Sequence, residues 1–142
     1  MNKQAMKEVE RVYANAGQHA EYVARYTLTG EKVRADNKAA TACADVLDIQ
    51  IKSYHATVCK GTDIRAHVKA DKASRYGYVT KDFTTLYIMS PEEYVEMVDM
   101  FGVVDKDSTG RRGERGGSNG GGEKLRLKRC EREIIKWFED RL

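Results

Sequence analysis

The chain has 142 residues, 41% of them hydrophobic and 33% charged, with a net charge of +3. That length suits one domain, 1–142, able to bury a core, and a charge so close to balance excludes a histone-like neutraliser of nucleic acid. No apolar run approaches the roughly 20 residues that span a bilayer, the charged start MNKQAMKEVERVY has no secretory core, and Cys43, Cys59 and Cys130 form no C-x-x-C pair for zinc or a disulfide framework, so a cytoplasmic protein that avoids the membrane is expected.

In chain order, the first expectation is a helix over 3–29. Met6, Val9, Val12, Tyr13, Ala16, Ala20 and Val23 recur at steps of three and four. Gly17 can break this helix, and Gly30 supplies a left-handed stop. Within 31–44 a short strand is expected at Lys32–Ala35. Over 45–58 the run Asp48-Ile49-Gln50-Ile51-Lys52 alternates as a strand does, with both isoleucines on one face, and His55 to Cys59 can continue the sheet. Gly61-Thr62-Asp63 opens a helix over 63–73. Strands follow at Arg75–Thr80 and Thr84–Met89. Ser90-Pro91-Glu92-Glu93 reads as a helix start with a capping box, and Gly102 as its end. Residues 107–123 hold seven glycines between 110 and 122 and read as a loop that is costly to order. Lys124–Lys128 is an alternating strand with Leu125 and Leu127 inward. Residues 130–142 form a last helix whose apolar side is Ile134, Ile135, Trp137, Phe138 and Leu142. This order is that of an α/β domain, or an α+β one, with a central mixed sheet flanked by helices.

The segment richest in chemistry is Asp45-x-x-Asp48-Ile49-Gln50-Ile51-Lys52. Asp48, Gln50 and Lys52 share one strand face, and Asp45 sits just before them. Oxygen ligands here, joined by the Ile51 main-chain carbonyl, suit Mg²⁺ or Mn²⁺. Lys52 is placed to orient an attacking water and offset phosphate charge. The plainer alternative is an ordinary solvated sheet face. His19, His55 and His67 have no ligand spacing. Cys59 and Cys130 read as core residues, and no phosphate-loop or hydrolase-elbow pattern occurs. Tyr76 and Tyr78 share a strand face, where they either stack on bases or pack in the core.

Asp45 followed by Gln50-Ile51-Lys52-Ser53 resembles a variant of the PD-(D/E)xK nuclease motif, in the superfamily of restriction endonucleases and archaeal Holliday-junction resolvases. The likeness covers roughly residues 18–90. It implies a restriction endonuclease-like core, with Asp45 as a metal-binding carboxylate, Gln50 in the place of the second acidic ligand and Lys52 as the catalytic lysine. It also implies a Glu from the first helix, for which Glu21 is best placed. Three departures stand out. Ala44 replaces the usual proline, only four residues separate Asp45 from Gln50, and Gln50 is neutral. The short spacing admits a rival with Asp36 as the first aspartate and Asp48 as an added ligand.

The resemblance implies a metal-dependent endonuclease, a hydrolase cutting double-stranded or branched DNA, with a homodimer as one way to address two strands. Lys32, Arg34, Lys60 and Arg65 would contact phosphates, with Lys69 and Lys72 extending the rim. Each is equally readable as ordinary surface charge. The alternative function is a catalytically inactive nuclease-like module that binds DNA, or a protein partner through the Trp137-Phe138 helix.

Overall fold

Alternation of Ile and polar residues makes 49–53 a strand with one dry face, and the rest of the domain is organised around it. The computed structural model describes residues 1–9, 16–32, 45–46, 48–54, 57–61, 63–104, 124–127 and 131–142. The elements are β1 (Asn2–Ala5), α1 (Ala16–Thr29), β2 (Asp45–Val46), β3 (Ile49–Ser53), β4 (Thr57–Lys60), α2 (Ile64–Asp71), β5 (Arg75–Val79), β6 (Thr85–Met89), α3 (Pro91–Phe101), β7 (Gly102–Val104), β8 (Lys124–Leu127) and α4 (Glu131–Glu139). Five strands form one sheet in the order β1-β6-β5-β3-β2, and three form another in the order β4-β8-β7. Among the described strands only β3 and β5 run parallel, Ile49 beside Arg75 and Lys52 beside Tyr78; the other pairings are antiparallel. The mixed sheet flanked by helices is therefore observed.

Each face of the larger sheet has its own core. Ile49, Ile51, Val79, Leu86 and Ile88 pack against Ala20 and Ala24 of α1. On the other side, Tyr76, Tyr78, Tyr87 and Met89 join residues of α2, α3, α4 and the smaller sheet, among them Ile64, Tyr94, Met97, Trp137 and Phe138. Gly77 is the thin point of the α1 side, because a Cβ there would lie 2.9 Å from Ile51 Cδ1 and 3.0 Å from Leu86 Cδ1.

Local signals set the helix ends. Ser90 Oγ accepts from Glu93 N–H at 3.1 Å, and Glu93 Oε1 accepts from Ser90 N–H at 2.9 Å, with Pro91 in the first turn. Asp63 caps α2 by accepting from the N–H groups of Arg65 and Ala66. Gly30, at φ 75°, closes α1 with its N–H on the Tyr26 carbonyl.

The structure corrects several expectations. Residues 2–5 are not helical. They pair with β6 as an edge strand, Asn2 opposite Ile88 and Ala5 opposite Thr85. Met6 reaches the α1-side core from this extended segment, so a helical period in the apolar residues was not proof of a helix. β4 does continue the chain beyond β3 as a strand, but it joins the smaller sheet. Lys124, on the middle strand of the smaller sheet, is buried, 4% exposed, whereas Leu142 is 53% exposed. Tyr76 and Tyr78 are fully buried, so they pack and do not stack on bases. Most of the expected Lys32–Ala35 strand and the 107–123 loop lie outside the described residues.

Candidate functional site

Two short strands position the motif. Asp45 pairs with Gln50 and Val46 with Ile49 across the β2–β3 hairpin. Alternation along β3 sends Ile49 and Ile51 into the α1-side core and places half-buried Gln50 and Lys52 on the opposite face. The register therefore sets Asp45 across from Gln50, with Lys52 two positions further on the same face as Gln50. The Asp45 side chain lies outside the described residues. Ile51 is buried, and its main chain runs beside Gly77.

The remaining proposed ligands are dispersed. Asp48 is not on the strand face. It is an exposed turn residue at φ 61°, and its carbonyl accepts from Ser74 N–H at 3.3 Å and Ser74 Oγ at 3.1 Å. Glu21 stands on α1, which covers the sheet face opposite to Gln50 and Lys52. Asp63 and Asp71, whose charges act with that of Lys52 on Cys59, have other work. Asp63 caps α2, and Asp71 accepts from the Tyr76 hydroxyl at 2.9 Å with His67 Nε2 at 3.4 Å. Burial first, then Asp63 and Asp71, push the Cys59 thiol above its ordinary value, and Lys52 opposes them. Cys59 is thus a protonated core residue, as its surroundings in the sequence suggested.

Among the described residues, no three His, Cys, Asp or Glu gather where they could hold a metal ion. A hard cation needs several oxygen ligands at once, and the chain sends its carboxylates to a turn, a cap and the far face. This overturns the expected Mg²⁺ or Mn²⁺ site. It also overturns the metal-dependent endonuclease, and the hydrolase chemistry, drawn from it. Lys52 then has no metal-activated water to orient.

No protein-family model, curated protein or solved structure matches this chain.

The predicted phosphate contacts separate in the same way. Lys32 is exposed just beyond α1. Arg65 is tied to Asp99 at 2.6 Å in an exposed pair, so its charge is partly answered. Arg34, Asp36, His55 and the side chain of Lys60 lie outside the described residues. Lys69 and Lys72 are exposed, and Arg75, not singled out from the sequence as a contact, joins them at the start of β5. The signal that could have found Arg75 is the spacing of Lys69-Ala70-Asp71-Lys72-Ala73-Ser74-Arg75, three cations in seven residues.

The turn geometry gives a direct test of the hairpin. Asp48→Gly is expected to hold or raise stability, since glycine adopts a positive φ without the side-chain penalty. Asp48→Val is expected to cost about 1–2 kcal/mol. Urea unfolding midpoints check both; equal midpoints for the two variants would mean that residue 48 is not held left-handed.

Proposed function

We propose that this chain is a non-catalytic DNA-binding module, a catalytically inactive relative of the PD-(D/E)xK nucleases that grips double-stranded or branched DNA by its phosphates. The observation that carries the proposal is the run of exposed cations Lys69, Lys72 and Arg75 at the junction of α2 and β5. Among the described residues no carboxylate pairs with any of the three, whereas Lys3, Arg25, Arg65 and Arg141 each have one. Unanswered surface cations on one short connection suit phosphate contacts that position a duplex without reading its sequence. The relationship to inactive nucleases is supported by the pairing of Asp45 with Gln50, by Lys52 two residues on, and by a neutral amide where the family's motif has an acid.

The test is fluorescence anisotropy with a labelled duplex and a labelled four-way junction over a series of salt concentrations. Affinity should fall steeply with salt. The triple variant Lys69→Gln, Lys72→Gln, Arg75→Gln should flatten the slope of log K against log salt by about 2.7, at roughly 0.9 per phosphate contact. An unchanged slope would remove these residues from the interface, and absence of binding at low salt would end the DNA reading. Docking a protein through the Trp137-Phe138 helix is the weaker alternative, because both side chains are already buried in the core.

A further inference from the structure

A second region of the molecule, away from the α2–β5 cations, has the features of a small-molecule site. A cleft of about 330 Å³ lies where the segment after β1, the body of α1 and the β5–β6 turn meet. Its walls are pinned. Met6 N–H donates to the Thr84 carbonyl at 2.8 Å, and Lys7 N–H donates to Thr27 Oγ1 at 3.0 Å. Met6, Val9, Val23 and Phe83 supply its apolar lining.

Phe83 is the unusual member. It holds φ at 60°, a left-handed conformation that a bulky aromatic residue adopts at a cost. The conformation is kept by a Phe83 N–H bond to the Thr80 carbonyl at 2.9 Å and an edge-to-face contact with the buried His19 ring at 4.5 Å. It sets an aromatic ring in the cleft wall.

Among the described residues, the charges that line the cleft are asymmetric. Asp82 Oδ1 accepts from Thr80 Oγ1 at 2.7 Å, Thr84 Oγ1 at 2.7 Å and Thr84 N–H at 3.1 Å. All three bonds fall on that one oxygen, which leaves Oδ2 for another donor. The hydrogen bonds from Thr84 and Thr80 hold the Asp82 carboxyl below its ordinary value, so it is ionised at neutral pH. Glu8 adds a second exposed carboxylate. Lys7, the one lysine among the described residues of the lining, has its ammonium 5.4 Å over the Tyr26 ring.

The geometry points to a binding site for an arylalkyl ammonium ion, its cation met by Asp82 Oδ2 and Glu8 and its ring set against Phe83, Met6 and Val23. Aromatic surface next to Phe83 and His19 favours an aromatic body. Two carboxylates favour a cation through charge-assisted hydrogen bonds.

Amide-resolved NMR titration of the full chain with phenethylammonium tests the site, with phenylacetate as the charge-reversed control. Saturable shifts are expected at the amides of Met6, Phe83 and Thr84, with phenylacetate weaker by about tenfold or more. Asp82→Asn keeps an Oδ1 acceptor for the turn and should weaken phenethylammonium about tenfold. Glu8→Gln lies outside the turn and should also weaken it, so the charge test survives even if the position 82 variant disturbs the loop. Absence of saturable shifts, equal binding of phenylacetate, or indifference to both substitutions would each overturn the site.

Discussion

Replacing Phe138 with alanine is expected to cost about 3–5 kcal/mol, a large part of the roughly 5–15 kcal/mol that holds a domain folded. Phe138 is fully buried and stacks on Tyr87 at 4.4 Å with its ring nearly parallel. Tyr78 lies 5.4 Å away and Trp137 5.3 Å away. Truncation removes the central ring of this group and leaves a cavity that α4 can close only by shifting. The same helix is tied at both of its ends to the adjacent strands β5 and β6, because Tyr78 donates to Glu131 at 2.9 Å and Tyr87 to Glu139 at 3.0 Å. Leu142→Ala, at an exposed position, serves as the control and should stay within about 0.5 kcal/mol of the parent. Urea denaturation measures both. A Phe138→Ala protein within about 1 kcal/mol of the parent would mean that α4 does not seal this core.

Alkali should unfold the protein abruptly. Burial raises the Tyr94 hydroxyl well above its ordinary value, helped by the nearby Tyr76 and Asp71. Burial and the Glu131 carboxylate raise Tyr78 in the same direction. The unfolded chain ionises its tyrosines near pH 10, while these two keep their protons in the folded state. Above that pH the unfolded state binds fewer protons than the native one, so stability is complete below pH 10 and falls as pH rises. Burial and its bond to Glu139 raise Tyr87 as well, so the slope should approach about 1.4 kcal/mol per pH unit for each hydroxyl that keeps its proton in the folded state. Unfolding free energies measured between pH 9 and 12 test this, and tyrosinate absorbance should rise together with loss of structure. Tyr78→Phe should lower the slope by about 1.4 kcal/mol per pH unit, the share of one group. A pH-independent stability over that range would show that none of these hydroxyls is sealed from solvent.

The elements legible in the sequence were those set by neighbours a few residues apart. Ser90, Pro91 and Glu93 specify a helix start through bonds that span three positions. Asp63 and Gly30 act over similarly short distances. The Arg75–Thr80 and Thr84–Met89 runs were recognisable as strands from their composition and do form a hairpin, Tyr76 opposite Met89. The alternation over 49–52 was correct in type and in the face it assigned to the isoleucines. It was wrong about Asp48 because two-residue periodicity cannot tell the last residue of a turn from the first of a strand.

The candidate site was less legible, because a ligand set is a property of three dimensions. Asp45 opposite Gln50 follows from a hairpin register, whereas the close spacing of the two in sequence had read as a departure from the motif. The side of the sheet that α1 would cover was not visible, and that choice placed Glu21 away from Lys52. Tyr78 and Tyr87 were recognised as sheet residues, but nothing local announced their carboxylate partners Glu131 and Glu139. Tyr78 and Glu131 are 53 positions apart.

Short-range chemistry in this chain, its caps, turns and alternating strands, was enough to specify a mixed α/β layout. Its partition into two sheets, the strand at residues 2–5 and the scattering of the carboxylates were decided only on folding. Those outcomes depend on which backbone edges and apolar faces find each other across the whole chain, and no window of neighbouring residues carries that information.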